Sequence, residues 1–135
     1  DAWQKITQVE DYTIEVVSKE TEVEGSEKLF FLNLGGYKEG DFEEYHYKVL
    51  VVAKTKSEAI KKAKKTTFFQ HVGFKGGGET HIDDKYGVDV DDIHKIDDIL
   101  DVQYKLNYQL KITKTDTLST DEKHIGYIAL TKLKK

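Results

Sequence analysis

The 135-residue chain has no cysteine, no proline, no methionine and no arginine. Without cysteine there are no disulfides, thiolate metal sites or cysteine nucleophiles. Without arginine there is no guanidinium clamp on phosphate or carboxylate and no bidentate arginine reading of guanine. All 21 basic residues are therefore lysine. Without proline, the protection of strand edges rests on lysine and glycine. The missing methionine leads us to expect that Asp1 is a cut or trimmed end. Acidic residues number 25, the net charge is -4 and the pI is near 5.7. Such a balance gives no overall attraction to nucleic acid or to an anionic membrane. Lys61, Lys62, Lys64 and Lys65 form the densest basic cluster, and they read as the solvated face of a helix. No apolar run approaches the roughly 18 residues of a membrane span. We expect no nucleic-acid partner and no membrane partner, and a reducing, cytoplasmic setting.

Alternation dominates what is present. Residues 12–17 place Tyr12, Ile14 and Val16 on one side, as a half-buried strand does. The segment from Ser18 to Glu27 is rich in glutamate (Glu20, Glu22, Glu24, Glu27) and reads as a linker or exposed loop. Lys28 to Leu34 reads as a strand stopped by Gly35-Gly36. Glu44 to Ala53 reads as a long strand, apolar on both faces beyond Lys48 and so expected to be central. The one convincing helix follows. Thr55-x-x-Glu58 fits a capping box, Ser57 is a competing N-cap, and Ala59, Ile60, Ala63 and Thr67 recur at helical spacing. Phe68-Phe69 is expected to close that helix onto the sheet, and the glycines at 73 and 76–78 to end regular structure. Thr80 to Asp83 reads as a short strand, and 84–101 as an acidic stretch anchored by Ile93, Ile96 and Ile99. Residues 103–113 alternate as one strand with Tyr104, Leu106, Tyr108, Leu110 and Ile112 inward, and 125–133 reads as the last strand. The expected class is α+β: a mainly antiparallel sheet with one covering helix.

Ile6 to Tyr12 and Ile93 to Ile99 match in their apolar and acidic positions, as copies of a repeat would. Several short motifs also stand in order: Leu34-Gly35-Gly36, Glu44-x-His46, His81-Ile82-Asp83, and an aromatic-glycine element from Phe69 to Gly73. In these the chain resembles the bacterial proteins grouped as domain of unknown function 1543, over roughly residues 28–112. It departs from the family's Glu-x-His-Asp at Tyr47. Asp1-Ala2-Trp3 and Glu10-Asp11-Tyr12 look like the closing part of a preceding unit. The resemblance implies a tail strand from that unit in residues 1–20, a linker at 21–27 and one α+β domain at 28–135. We expect residues 12–17 to pair with an edge of that domain or with another chain.

The candidate site follows from spacing. Glu44 and His46 are two apart on a strand and share a face, and His81 and Asp83 have the same spacing. Two imidazoles and two carboxylates can hold a divalent metal, or form a carboxylate–imidazole pair for acid–base work. The competing interpretation is a hydrogen-bond network that fixes strand register. Gly35 and Gly36 join the four as candidate binding positions; no catalytic residue and no required cofactor is assigned. The glycines at 76–78 lack the Lys-Ser/Thr and following helix of a phosphate loop. Asp89, Asp91 and Asp92 lack the glycine and glutamate of a calcium loop. No Gly-x-Ser-x-Gly is present. The strand tyrosines read as packing residues, because no basic groove accompanies them. The leading expectation is a non-enzymatic binding or interaction module that admits a homo-oligomer through sheet edges or the N-terminal strand. The alternative is a metal or small-molecule site on Glu44, His46, His81 and Asp83.

Overall fold

The computed structural model describes residues 2–37, 42–71, 89–127 and 129–132. In chain order the strands are β1 (Ala2–Gln4), β2 (Gln8–Val9), β3 (Tyr12–Ser18), β4 (Lys28–Tyr37) and β5 (Glu44–Ala53). Helix α1 (Lys56–His71) precedes β6 (Asp89–Lys95) and two short helices, α2 (Ile96–Ile99) and α3 (Val102–Asn107). The chain continues through β7 (Tyr108–Lys114), β8 (Lys123–Ile125) and a 3-10 turn at Leu130–Lys132. All described strand pairs are antiparallel. The class is α+β.

Two three-stranded sheets and one helix make three layers. The first sheet has the order β5-β4-β6 and the second β2-β3-β7. Alternation along β4 sorts the core. Phe30, Leu32 and Leu34 point to α1 and meet Val51, Ala53, Ala59 and Ala63. Leu29, on the other face, joins Val52, Val9 and Ile14 beneath the second sheet. Leu32, Leu34, Val52, Ala59 and Ala63 are fully buried. The small residues Ala59 and Ala63 let α1 lie close on the sheet. The helix begins as the sequence indicates: the Glu58 N–H donates to Thr55 Oγ1 at 3.2 Å, and the Lys54 N–H donates to the Glu58 carboxylate at 3.0 Å. Among the described residues β4, rather than β5, is the central strand; β5 is apolar on both faces because α1 covers one and the second sheet covers part of the other.

Residues 12–17, with Ser18, pair with β7 over its whole length, Tyr12 opposite Lys114 and Ser18 opposite Tyr108. The strands that follow the two similar sequence blocks are therefore paired to each other. The blocks themselves differ: Ile6 to Tyr12 spans β2 and a tight turn, and Ile93 to Ile99 spans the end of β6 and α2. The ends of the chain are also joined, since β1 pairs with β8 and Trp3 stacks on His124 with ring centroids 4.0 Å apart.

Further sequence expectations are corrected. Strand β4 runs through Gly35-Gly36 to Tyr37 and is not stopped by the glycines, because β5 continues as its partner there. Residues 103–107 are helical, not strand. The ladder with β3 stops because the chain turns after Ser18, so beyond Lys19 that strand offers no further partner. The backbone of 101–107 then satisfies itself locally, with the Tyr104 and Lys105 N–H groups donating to the Asp101 carbonyl. Tyr104 and Leu106 consequently face outward. Part of the acidic stretch is strand β6, with Val90 and Ile93 packed on the core although they are three residues apart. A register shift opposite Asn33/Leu34 supplies the extra residue that makes this possible. Two short helices accompany the covering helix. The last strand is β8 and ends at Ile125. The expected strand at Thr80 to Asp83, the glycine stop at 73 and 76–78 and the side chains of Phe68 and Phe69 lie outside the described residues.

Candidate functional site

On the first sheet, the face away from α1 carries a polar group where the second sheet does not cover it. His46 stands on β5 opposite Gly35 of β4. Gly35 is buried and places no side chain on that face, so the imidazole can cross β4 toward β6. His46 Nε2 lies 3.0 Å from Asp91 Oδ2, with the two side chains 44% and 31% exposed. Asn33 Nδ2 donates to the same carboxylate oxygen at 3.4 Å. The other amide atom, Asn33 Oδ1, is buried without a hydrogen-bond partner among the described residues. Asp91 is in position because the bulge in β6 falls at this point. Next along β6, His94 Nε2 and Asp92 Oδ1 are 4.0 Å apart and largely exposed.

Of the expected site residues, the structure places His46 and the two glycines, Gly36 being opposite Tyr45. His81 and Asp83 lie outside the described residues, as does the side chain of Glu44. Asp91 and Asn33 are site residues that the sequence reading missed. The signal was the Val90-Asp91-Asp92-Ile93 spacing, an alternation with one residue too many, which is how a bulge reads. Chemically, Asp91 can orient the imidazole through this contact. No group of three or more metal-ligating side chains is gathered among the described residues.

A second feature is the outer edge of β7. The Lys19 N–H donates to the Asn107 carbonyl and the Thr115 N–H to the Asp11 carbonyl, both at 2.8 Å and both in the β3–β7 register. Hydrogen-bonded pairs alternate along an antiparallel ladder. Residues 109, 111 and 113 thus turn their backbone groups to β3, and residues 108, 110, 112 and 114 turn theirs outward. The Tyr108 N–H is used by the Tyr104 carbonyl. The outward N–H and C=O groups of Leu110, Ile112 and Lys114 pair with nothing among the described residues. The strand has no proline and no bulge. Its protection rests on Lys111 and Lys114 alone among the devices of proline, bulge and charge.

No family model, no curated protein and no solved structure matches this chain. Among the described residues, no helix is long and apolar enough to cross a membrane.

Proposed function

We propose that this chain is a non-enzymatic interaction module that takes up another polypeptide by strand addition. The outward backbone groups of Leu110, Ile112 and Lys114 carry this reading. Unpaired strand edges recruit a further strand through main-chain hydrogen bonds, while side-chain pockets confer selectivity. The lack of cysteine, arginine and a nucleophile motif agrees with a binding role, as does the acidic balance. Membership of the domain of unknown function 1543 family, with residues 1–20 as the tail of a preceding unit, belongs to the same proposal and rests on the motifs quoted above.

Selection of a displayed random-peptide library on the full chain tests it. Peptides enriched on the native protein are expected to be lost on Lys114→Pro, which removes an outward N–H from an exposed position. They are also expected to be lost on Leu110→Pro, with circular dichroism confirming that each variant folds. No enrichment, or enrichment that both folded variants retain, rejects the reading.

The His46–Asp91 pair supports a second reading, a metal or small-molecule site built on Glu44, His46, His81 and Asp83. On this reading Asp91 orients the imidazole, and the shared Asn33 contact fixes the carboxylate. Chelator-treated protein titrated with zinc in a calorimeter is expected to bind, and His46→Ala to weaken that binding about tenfold or more, as loss of an orienting or ligating group does. Absence of heat with the native chain removes this second reading.

A further inference from the structure

Resting on the reading of β7 as a docking edge, we propose the kind of polypeptide it accepts: a short extended segment, basic toward its N-terminus and acidic toward its C-terminus, lying antiparallel to β7. The linker borders this edge. Between them are two hollows of about 580 and 360 Å³ that share Glu24, Gly25, Glu27 and Ile112 in their walls. They form a trough along the strand, and its two halves differ in charge.

At the Lys114 half, the linker contributes Glu22, Glu24 and Glu27, and β7 contributes Lys111 and Lys114. Both lysines are already engaged, Lys114 with Asp11 at 3.2 Å and Lys111 with Glu15 at 4.0 Å. Glu22 and Glu24 are exposed and make no ion pair among the described residues. This half is left anionic. At the Tyr108 half, Lys19, Lys28, Lys95 and Lys105 line the wall against Glu24, Glu27 and Asp97. Lys95 is taken by Asp98 at 2.9 Å, whereas Lys105 donates to the neutral Asp98 carbonyl at 2.7 Å and keeps its charge. Lys19 and Lys28 make no ion pair among the described residues. Glu27 is paired with Lys54 at 3.9 Å, so Lys19, Lys28 and Lys105 face Glu24 and Asp97, which are unpaired among the described residues, and this half is left with a small cationic excess.

Direction then follows. Antiparallel pairing is slightly more stable per residue than parallel. It sets the N-terminus of the incoming segment beside Lys114 and its C-terminus beside Tyr108. Basic residues first and acidic residues last complete both halves. Alternate residues of the segment fall on the face of Tyr108, Leu110 and Ile112 and take apolar side chains. A second copy of this chain fits less well, because β7 pairing with its twin in full overlap sets Lys111 opposite its own counterpart, and like charges directly opposite disfavour a pair.

The test is an amide-exchange titration of the full chain. The probe is a capped heptapeptide with valine at alternate positions, two lysines in its N-terminal half and two glutamates in its C-terminal half. It is expected to slow exchange at Leu110, Ile112 and Lys114. Gln109, Lys111 and Thr113, already bonded to β3, should not change. It should bind about fivefold more tightly than the peptide with the charges in reverse order, the ratio expected for a few exposed ion pairs. Glu22→Lys combined with Glu24→Lys should abolish that preference. Equal protection by both peptides overturns the charge proposal and leaves the docking edge standing. No protection by either overturns both. Protection that rises with protein concentration and without peptide makes a second copy the occupant and overturns the peptide proposal.

Discussion

Asp121 shows how a single side chain ties distant parts of this chain together. It sits between β7 and β8, yet its carboxylate accepts the Thr7 N–H at 2.7 Å, the Gln8 N–H at 3.0 Å and the Thr7 hydroxyl. Gln4 Nε2 donates to its backbone carbonyl at 3.0 Å. Partial burial pushes the carboxyl up, but the hydrogen bonds from Thr7 and Gln8 and the Lys5 charge outweigh it and hold the group below its ordinary 3.8. A group depressed in the folded state contributes its full stability above the unfolded value. That contribution is lost as pH falls through the folded value. Asp121→Asn keeps the shape and removes the charge, and is expected to cost about 1–2 kcal/mol at neutral pH. Denaturant unfolding at pH 7 and at pH 3 checks this: the difference between variant and native chain should shrink at the lower pH. Nothing in the sequence around Asp121 marks this role, because its partners lie more than a hundred residues away. By contrast, the Thr55–Glu58 cap was legible, since its two members sit three positions apart on one short segment.

Elements were legible where one physical pattern ran unbroken. Helix α1 was read from its cap and its Ala59–Ala63 spacing, β3 and β5 from alternation, and β4 from its run of strand-forming residues. Reading failed where tertiary context broke the pattern. In β6 the bulge beside Asn33 shifts the apolar positions from a spacing of two to three. In α3 the alternating Tyr104 and Leu106 look like strand residues, but no partner strand reaches them. The polar site shows the same division: His46 was found, while Asp91 was hidden by the bulge that positions it. The close seat of α1 gives a prediction at this scale. Ala63 is fully exposed to packing from β4 and β5 and not at all to water. Ala63→Leu is expected to destabilise by about 1–3 kcal/mol, the usual cost of overpacking a filled core. Thermal unfolding monitored at the helical band measures it. A midpoint equal to that of the native chain would mean that α1 can lift from the sheet without cost.

The two ends of the chain interleave, so whole-molecule stability depends on residues that the sequence resemblance assigns to a tail. Strand β3 is central in its sheet and supplies the only described neighbour of β7. Val9 and Ile14 form half of the buried set between the two sheets, with Leu29 and Val52 as the other half. Removing residues 1–20 deletes β1, β2 and β3 together. It frees β8 and the second edge of β7, and exposes Leu29 and Val52. Loss of Val9 and Ile14 alone withdraws about 3–6 kcal/mol, taking the usual gain for burying each such side chain. Domains of this size have about 5–15 kcal/mol in total. The truncated chain is therefore expected to lose its cooperative thermal transition while α1 retains partial helicity. Circular dichroism resolves these two signals, since the deletion also removes Trp3, the only tryptophan. An unchanged midpoint would mean that the β3–β7 ladder contributes no net stability. The docking reading depends on the same ladder. Without β3, residues 109, 111 and 113 lose their partners, and β7 ceases to be a one-sided edge that can present its other side to a peptide.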